Sequence, residues 1–133
     1  MNIHLKYHRY PGVMAPVLCL IMLLFLISCT DGSRPVHSEF KIGMNRADIR
    51  STFGEPSYSQ SMTKTSTHIF GPIEAFWYRV PDGSKIEIWH YDSYAVTYSD
   101  GREYRRDGQT ELYFLNDSQF VDGIGFHDED AVY

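Results

Sequence analysis

Apolar residues fall into two regimes along the chain. Residues 17–27 form an unbroken apolar run of eleven, preceded by Lys6 and Arg9. That run fits the core of a secretory leader and is short of the roughly 20 residues a spanning helix needs. Residues 30–38 are small and polar with one Pro, and read as a tether. A helical signature follows. Asn45 is a good N-cap, with Asp48 three places on as a variant of the capping box. Met44 precedes the cap and pairs with Ile49 in staple positions, and Ile49 and Phe53 share a face. Gly54 and Pro56 stop the helix, which spans about 46–53. Alone it is marginal, so it must dock.

The remainder carries β-signals. Residues 57–67 are rich in Ser and Thr and read as a poorer helix or a loop. Residues 73–80 are aromatic and β-branched and read as a strand. A turn at 81–84 leads into a strand over 85–91, with Ile86 and Ile88 on one face and Glu87, Trp89 and Tyr91 on the other. A short strand is expected over 94–98, with turns at Asp100-Gly101 and Asp107-Gly108. Segments 110–115 and 119–126 flank Asn116-Asp117-Ser118 as a hairpin. Residues 128–133 read as an acidic tail. The fold class expected is α+β, in two layers, with short N-terminal helices on one face of an antiparallel sheet of three or more strands. Its expected core is Ile49, Phe53, Ile86, Ile88, Leu112, Phe114 and Val121.

Leu26-Ile27-Ser28-Cys29 closes the apolar run and resembles the lipobox of bacterial lipoproteins. The resemblance implies cleavage between Ser28 and Cys29 and a diacylglyceryl group on the Cys29 sulfur, with an acylated amine. The alternatives are an uncleaved anchor or an ordinary leader cut elsewhere. Thr30 follows the Cys, and Asp31 stands one place late for the usual inner-membrane retention signal. The expected address is therefore the outer membrane, facing the periplasm. The domains read as leader 1–28, lipidated tether 29–38, folded domain 39–127 and tail 128–133.

Of 133 residues, 12 are basic and 17 acidic, a net charge of −5. Both leader cations precede Cys29 and every acid follows it, so the processed side chains sum to −7. That balance argues against a nucleic-acid partner. Cys19 leaves with the leader and Cys29 takes lipid, so no thiol remains for catalysis, metal binding or a disulfide.

Residues 41–56, from Lys41-Ile42-Gly43-Met44-Asn45 through Asp48-Ile49 to Phe53-Gly54-Glu55-Pro56, resemble the opening motif of the SmpA/OmlA (BamE-like) lipoproteins. Trp89-His90-Tyr91 matches that family's Trp-x-Tyr strand, and residues 111–126 match its closing hairpin. The resemblance implies two helices on a three-stranded antiparallel sheet and an accessory role in folding barrels into the outer membrane. The chain departs from the pattern at Asn45, at Phe53, and in an extra stretch over 91–110.

No catalytic set stands out. His37, His68, His90 and His127 show no metal-ligand spacing, and His90 reads as a packed or surface residue. No cofactor beyond the lipid is expected. Asp128, Glu129 and Asp130 read as a solvated tail. The dense aromatics over 76–104 suit either cross-strand packing or a partner surface, for which Trp77, Trp89 and Tyr91 are the candidates. The expected function is non-catalytic: a protein-binding scaffold or modulator of an envelope complex, with a stand-alone inhibitor or ligand sensor as the alternative.

Overall fold

The computed structural model describes residues 33–130. Leu26, Ser28 and Cys29 lie outside the described residues, as do the rest of the leader and the first residues of the tether, 29–32. From Arg34 onward the chain forms one unit. Its elements are a 3-10 turn (His37–Glu39), α1 (Arg46–Phe53), β1 (Tyr58–Thr63), α2 (Glu74–Trp77), β2 (Lys85–Ser99), β3 (Arg102–Leu115) and β4 (Gly123–Asp128). The four strands form one antiparallel sheet in chain order. The α+β class expected from the sequence is observed. Among the described residues no helix is long and apolar enough to cross a membrane.

α1 forms where its local signals place it. The Asn45 side chain accepts from the Ala47 N–H at 2.8 Å. Gly54 ends the helix at φ 82°, its N–H donating to the Arg50 carbonyl. Ile49 is fully buried, with Met44 and Phe53 packed beside it. Main-chain bonds then clasp the motif to the far end of the chain. Gly43 donates to Val121, Val121 to Met44, and Arg46 to Gln119.

The sheet is covered on both faces, not one. Strand alternation puts Trp89, Tyr91, Leu112 and Phe114 on the first face, where they pack with Phe40, Ile49 and Val121 under α1. Ile86, Ile88 and Tyr113 point the other way and pack with Ile73, Phe76, Trp77 and Val80. The helical elements are thus split between faces, which departs from the expected two-layer arrangement. The short α2, between β1 and β2, covers the second face through Phe76 and Trp77. All seven expected core residues fall in these two clusters, Phe53 at an edge.

Three local expectations are corrected. Residues 58–63 are a strand, neither helix nor loop: β1 pairs with β2 from Tyr58↔His90 to Thr63↔Lys85. Residues 74–77 are a helical turn and not a strand. Asp107-Gly108 is not a turn; it lies inside β3. Gly108 is needed there for close approach, since a Cβ would run into the His127 carbonyl and the Phe126 ring. The short strand expected over 94–98 is the end of one 15-residue strand, turned by Asp100 (φ 51°) and Gly101 (φ 73°). At the carboxyl side the last strand starts at Gly123 and runs through Asp128, so the tail begins later than expected. The folded unit also begins earlier: Tyr94 donates to the Pro35 carbonyl, and Val36 bridges to Tyr94.

β2 and β3 outrun their neighbours. β1 ends opposite His90 and β4 opposite Gly108. The last six rungs, Tyr94↔Asp107 to Ser99↔Arg102, form a two-stranded ribbon; its root rung is flanked by Val36 and Glu129, and the five rungs beyond it pair only with each other. This ribbon lies within residues 91–110, the stretch at which the sequence departs from the pattern it resembles.

Candidate functional site

On the first face, α1 lays two arginines over the sheet. The Arg46 guanidinium lies 3.9 Å from the Phe114 ring centre and 4.9 Å from that of Trp89; Arg50 lies 4.4 Å from Trp89. Arg46 Nε donates to the Ser118 carbonyl at 2.7 Å, and its Nη2 sits 2.9 Å from Glu87 Oε2. Trp89 Nε1 donates to Glu87 Oε1 at 2.7 Å. These two donors, Arg46 first, hold the Glu87 carboxyl below its ordinary range despite its partial burial. The Tyr91 hydroxyl donates to the Gly54 carbonyl at 3.0 Å, and burial pushes its pKa up to about 12. Here Met44, Ile49, Phe53 and Gly54 meet Trp89 and Tyr91, while Gly43 and Asn45 are held by Val121 and Phe120. Asp48 lies in the first turn of the same helix, and Pro56 follows its end.

The partner-surface candidates are corrected. Trp77, Trp89 and Tyr91 are 4%, 1% and 3% exposed. Trp89 and Tyr91 are roofed by α1. Trp77 rides a helical turn, and its indole donates inward to the Thr67 carbonyl at 3.0 Å with Lys64 above the ring. Their role is packing. The outward aromatic side chains are others: Phe70 (80% exposed), Tyr58, Tyr78, Tyr98, Tyr104 and Phe120.

The second face holds a polar row that the sequence did not reveal. His90 is 2% exposed. Tyr58 stacks on it with ring centres 3.8 Å apart, and Gln60 Nε2 lies 3.2 Å from His90 Nε2. His90 Nδ1 is buried without a hydrogen-bond partner, 3.8 Å from Glu111 Oε1. Glu111 in turn accepts from the Tyr113 hydroxyl at 2.7 Å. His127 shares this face, opposite Gln109. Burial, and secondarily His127, lower the His90 pKa to about 4. The imidazole is therefore neutral near pH 7. The available signal was parity: His90 has the same parity as Ile86 and Ile88, so it must face the α2 side.

His37 closes the first face near the ribbon root. Its Nδ1 lies 2.9 Å from Thr110 Oγ1, which also meets Ser93 Oγ at 2.8 Å. Burial lowers the His37 pKa. Among the described residues no group of three or more His, Cys, Asp or Glu is arranged to hold a metal ion. No protein-family model, curated protein or solved structure matches the chain.

Proposed function

We propose that this chain is a non-catalytic outer-membrane lipoprotein of BamE-like type that binds another envelope protein as a scaffold or modulator. Barrel assembly or envelope integrity is the process it would serve. The address rests on Leu26-Ile27-Ser28-Cys29, standing a few residues before the folded unit at Arg34. The family assignment is supported by the cap, helix and Gly stop over 41–56. Replacing Cys29 by Ala blocks lipid addition. The expected result is an unprocessed precursor that incorporates no labelled palmitate. Normal cleavage with normal membrane retention defeats the address.

Phe70 carries the binding part of the proposal. It projects from a segment pinned on both sides, by Ile69 before it and by Ile73, Phe76 and Trp77 after it. His68 Nδ1 lies 2.7 Å from the Tyr78 hydroxyl, tying the segment across its base. A large aromatic held out on a pinned support loses little conformational freedom on binding, which suits a hot spot. Phe70→Ala is expected to abolish cross-linking to an outer-membrane assembly subunit while leaving the melting temperature within a degree or two, since surface changes shift stability by about 0.5 kcal/mol or less. Undiminished cross-linking defeats the choice of Phe70. The second reading is a stand-alone inhibitor or ligand sensor. It is favoured by the ribbon, which the family pattern does not include. Reproducible capture of one periplasmic enzyme, without assembly subunits, would support it.

A further inference from the structure

We propose that one face of the β2–β3 ribbon rests on the phospholipid headgroups of the membrane to which the chain is tethered; this rests on lipid attachment at Cys29. Length comes first. Five residue steps separate Cys29 from Arg34, so the folded unit can start no more than about 18 Å from the lipidated residue. Six rungs of ribbon extend about 20 Å. The ribbon is therefore as long as the tether that holds it.

Placement comes second. The chain enters the folded unit at the ribbon root, where Pro35 and Val36 meet Tyr94. There Arg34 reaches Asp107, which points to the opposite face, and Glu129, at 3.9 and 3.8 Å, before the chain crosses to the first face. His37 then lies on the first face of the sheet, against Thr110 and 5.0 Å from Phe126. The register puts Ala95, Thr97, Ser99, Arg102, Tyr104 and Arg106 on that same face of the ribbon.

Chemistry comes third. That face carries two arginines around a tyrosine and no carboxylate of its own. Arg102 has no ion-pair partner among the described residues, while Arg106 meets Asp128 from β4 at 3.1 Å. Glu103 and Asp107 point to the opposite face. There Arg105 pairs with Asp107 at 2.9 Å and stacks 3.9 Å from the Tyr94 ring centre, and Tyr98 leans towards Glu103. Tyrosine prefers the headgroup level, and arginine reaches phosphate while its stem lies in the apolar boundary. On a chain whose processed charge is −7, this is a surface an anionic bilayer does not repel. A two-stranded ribbon is marginal in water by itself, and such a contact would steady it.

The test uses the lipidated full chain, purified from membranes and reconstituted in phosphatidylethanolamine–phosphatidylglycerol vesicles containing doxyl lipids. A fluorophore is attached at Thr97→Cys, on the proposed face opposite Tyr104, or at Ser61→Cys on β1. The expected result is loss of most emission at position 97 and none at 61, with the loss reversed by adding Arg102→Glu and Tyr104→Ser. Three results overturn the proposal. Both probes stay bright on vesicles that carry the protein: the anchor stands and the ribbon assignment falls. The probe at 97 is shielded from iodide as well as from lipid: a protein covers the ribbon. The chain fails to float with the vesicles: the anchor reading falls, and this one with it.

Discussion

Trp89→Ala is expected to lower the unfolding free energy by about 3–5 kcal/mol, the cost of emptying a buried tryptophan site. The melting temperature should fall by roughly 15–30 °C for a unit of this size. The site explains why the loss belongs at the upper end. Trp89 is 1% exposed and touches elements from three parts of the chain. Its ring lies 4.7 Å from Phe114 on β3 and under Arg46 and Arg50 of α1. Its Nε1–H fixes Glu87, which receives Arg46. Removing the indole opens a cavity, strips two guanidinium groups of their platform and leaves Glu87 one donor short. Small domains have only about 5–15 kcal/mol in hand, so a large share goes with one residue. Trp89→Phe keeps the ring and should cost far less. Thermal unfolding followed by near-UV circular dichroism checks both. An alanine variant that melts within a few degrees of the parent would show that α1 is not held through this residue.

The helix that rests on Trp89 was legible in the sequence because its signals are local. Cap, staple, paired apolar positions and Gly stop all lie within twelve residues, and each acts on its neighbours. β1 was illegible for the opposite reason. Tyr58-Ser59-Gln60-Ser61 is an edge segment with little to bury, so no alternation marks it; only pairing with β2 makes it a strand. α2 lost to propensity. Phe76, Trp77 and Tyr78 favour strands as types, yet Ile73, Phe76, Trp77 and Val80 recur at helical spacing, and all four are buried. Spacing reported the burial; residue type misled.

Gly108 shows a related limit. A glycine after an aspartate suggests a turn, but here it makes room for a third strand, a requirement set by residues eighteen or more positions away. The aromatic cluster follows the same logic. A count of Trp and Tyr registers both core and surface, and only the roofing by α1 and α2 assigns Trp77, Trp89 and Tyr91 to the core. The outward set, Phe70 and the ribbon tyrosines, is defined by what leaves it uncovered.

Acid is expected to destabilise the folded unit through His90, by up to roughly 3 kcal/mol between pH 7 and pH 4. The folded pKa is about 4, against 6.5 in its ordinary setting. Above pH 6.5 the imidazole is neutral in both states and contributes no slope. Between 6.5 and 4 the unfolded chain takes up a proton that the folded chain refuses, so stability falls as pH falls. The groups facing His90 fix this sign. Tyr58 and Gln60 on β1 are neutral, and His127 on β4 opposes a second positive charge. Asp92 lies two residues along the same face and is shared with Gln109 at 3.0 Å. Glu111, at 3.8 Å and bound to Tyr113, stands beyond hydrogen-bond reach of Nδ1. Desolvation therefore wins over the nearby carboxylates. His37, also lowered by burial, adds a slope of the same sign, and Glu87 adds one below its ordinary 4.5. His90→Gln should remove the largest share, so urea midpoints for the variant should vary less between pH 7 and 4.5 than those of the parent. Proton NMR of the His90 ring gives the direct reading. A ring that titrates near 6.5 in the folded protein would mean that water reaches Nδ1 and that Tyr58 does not seal the row.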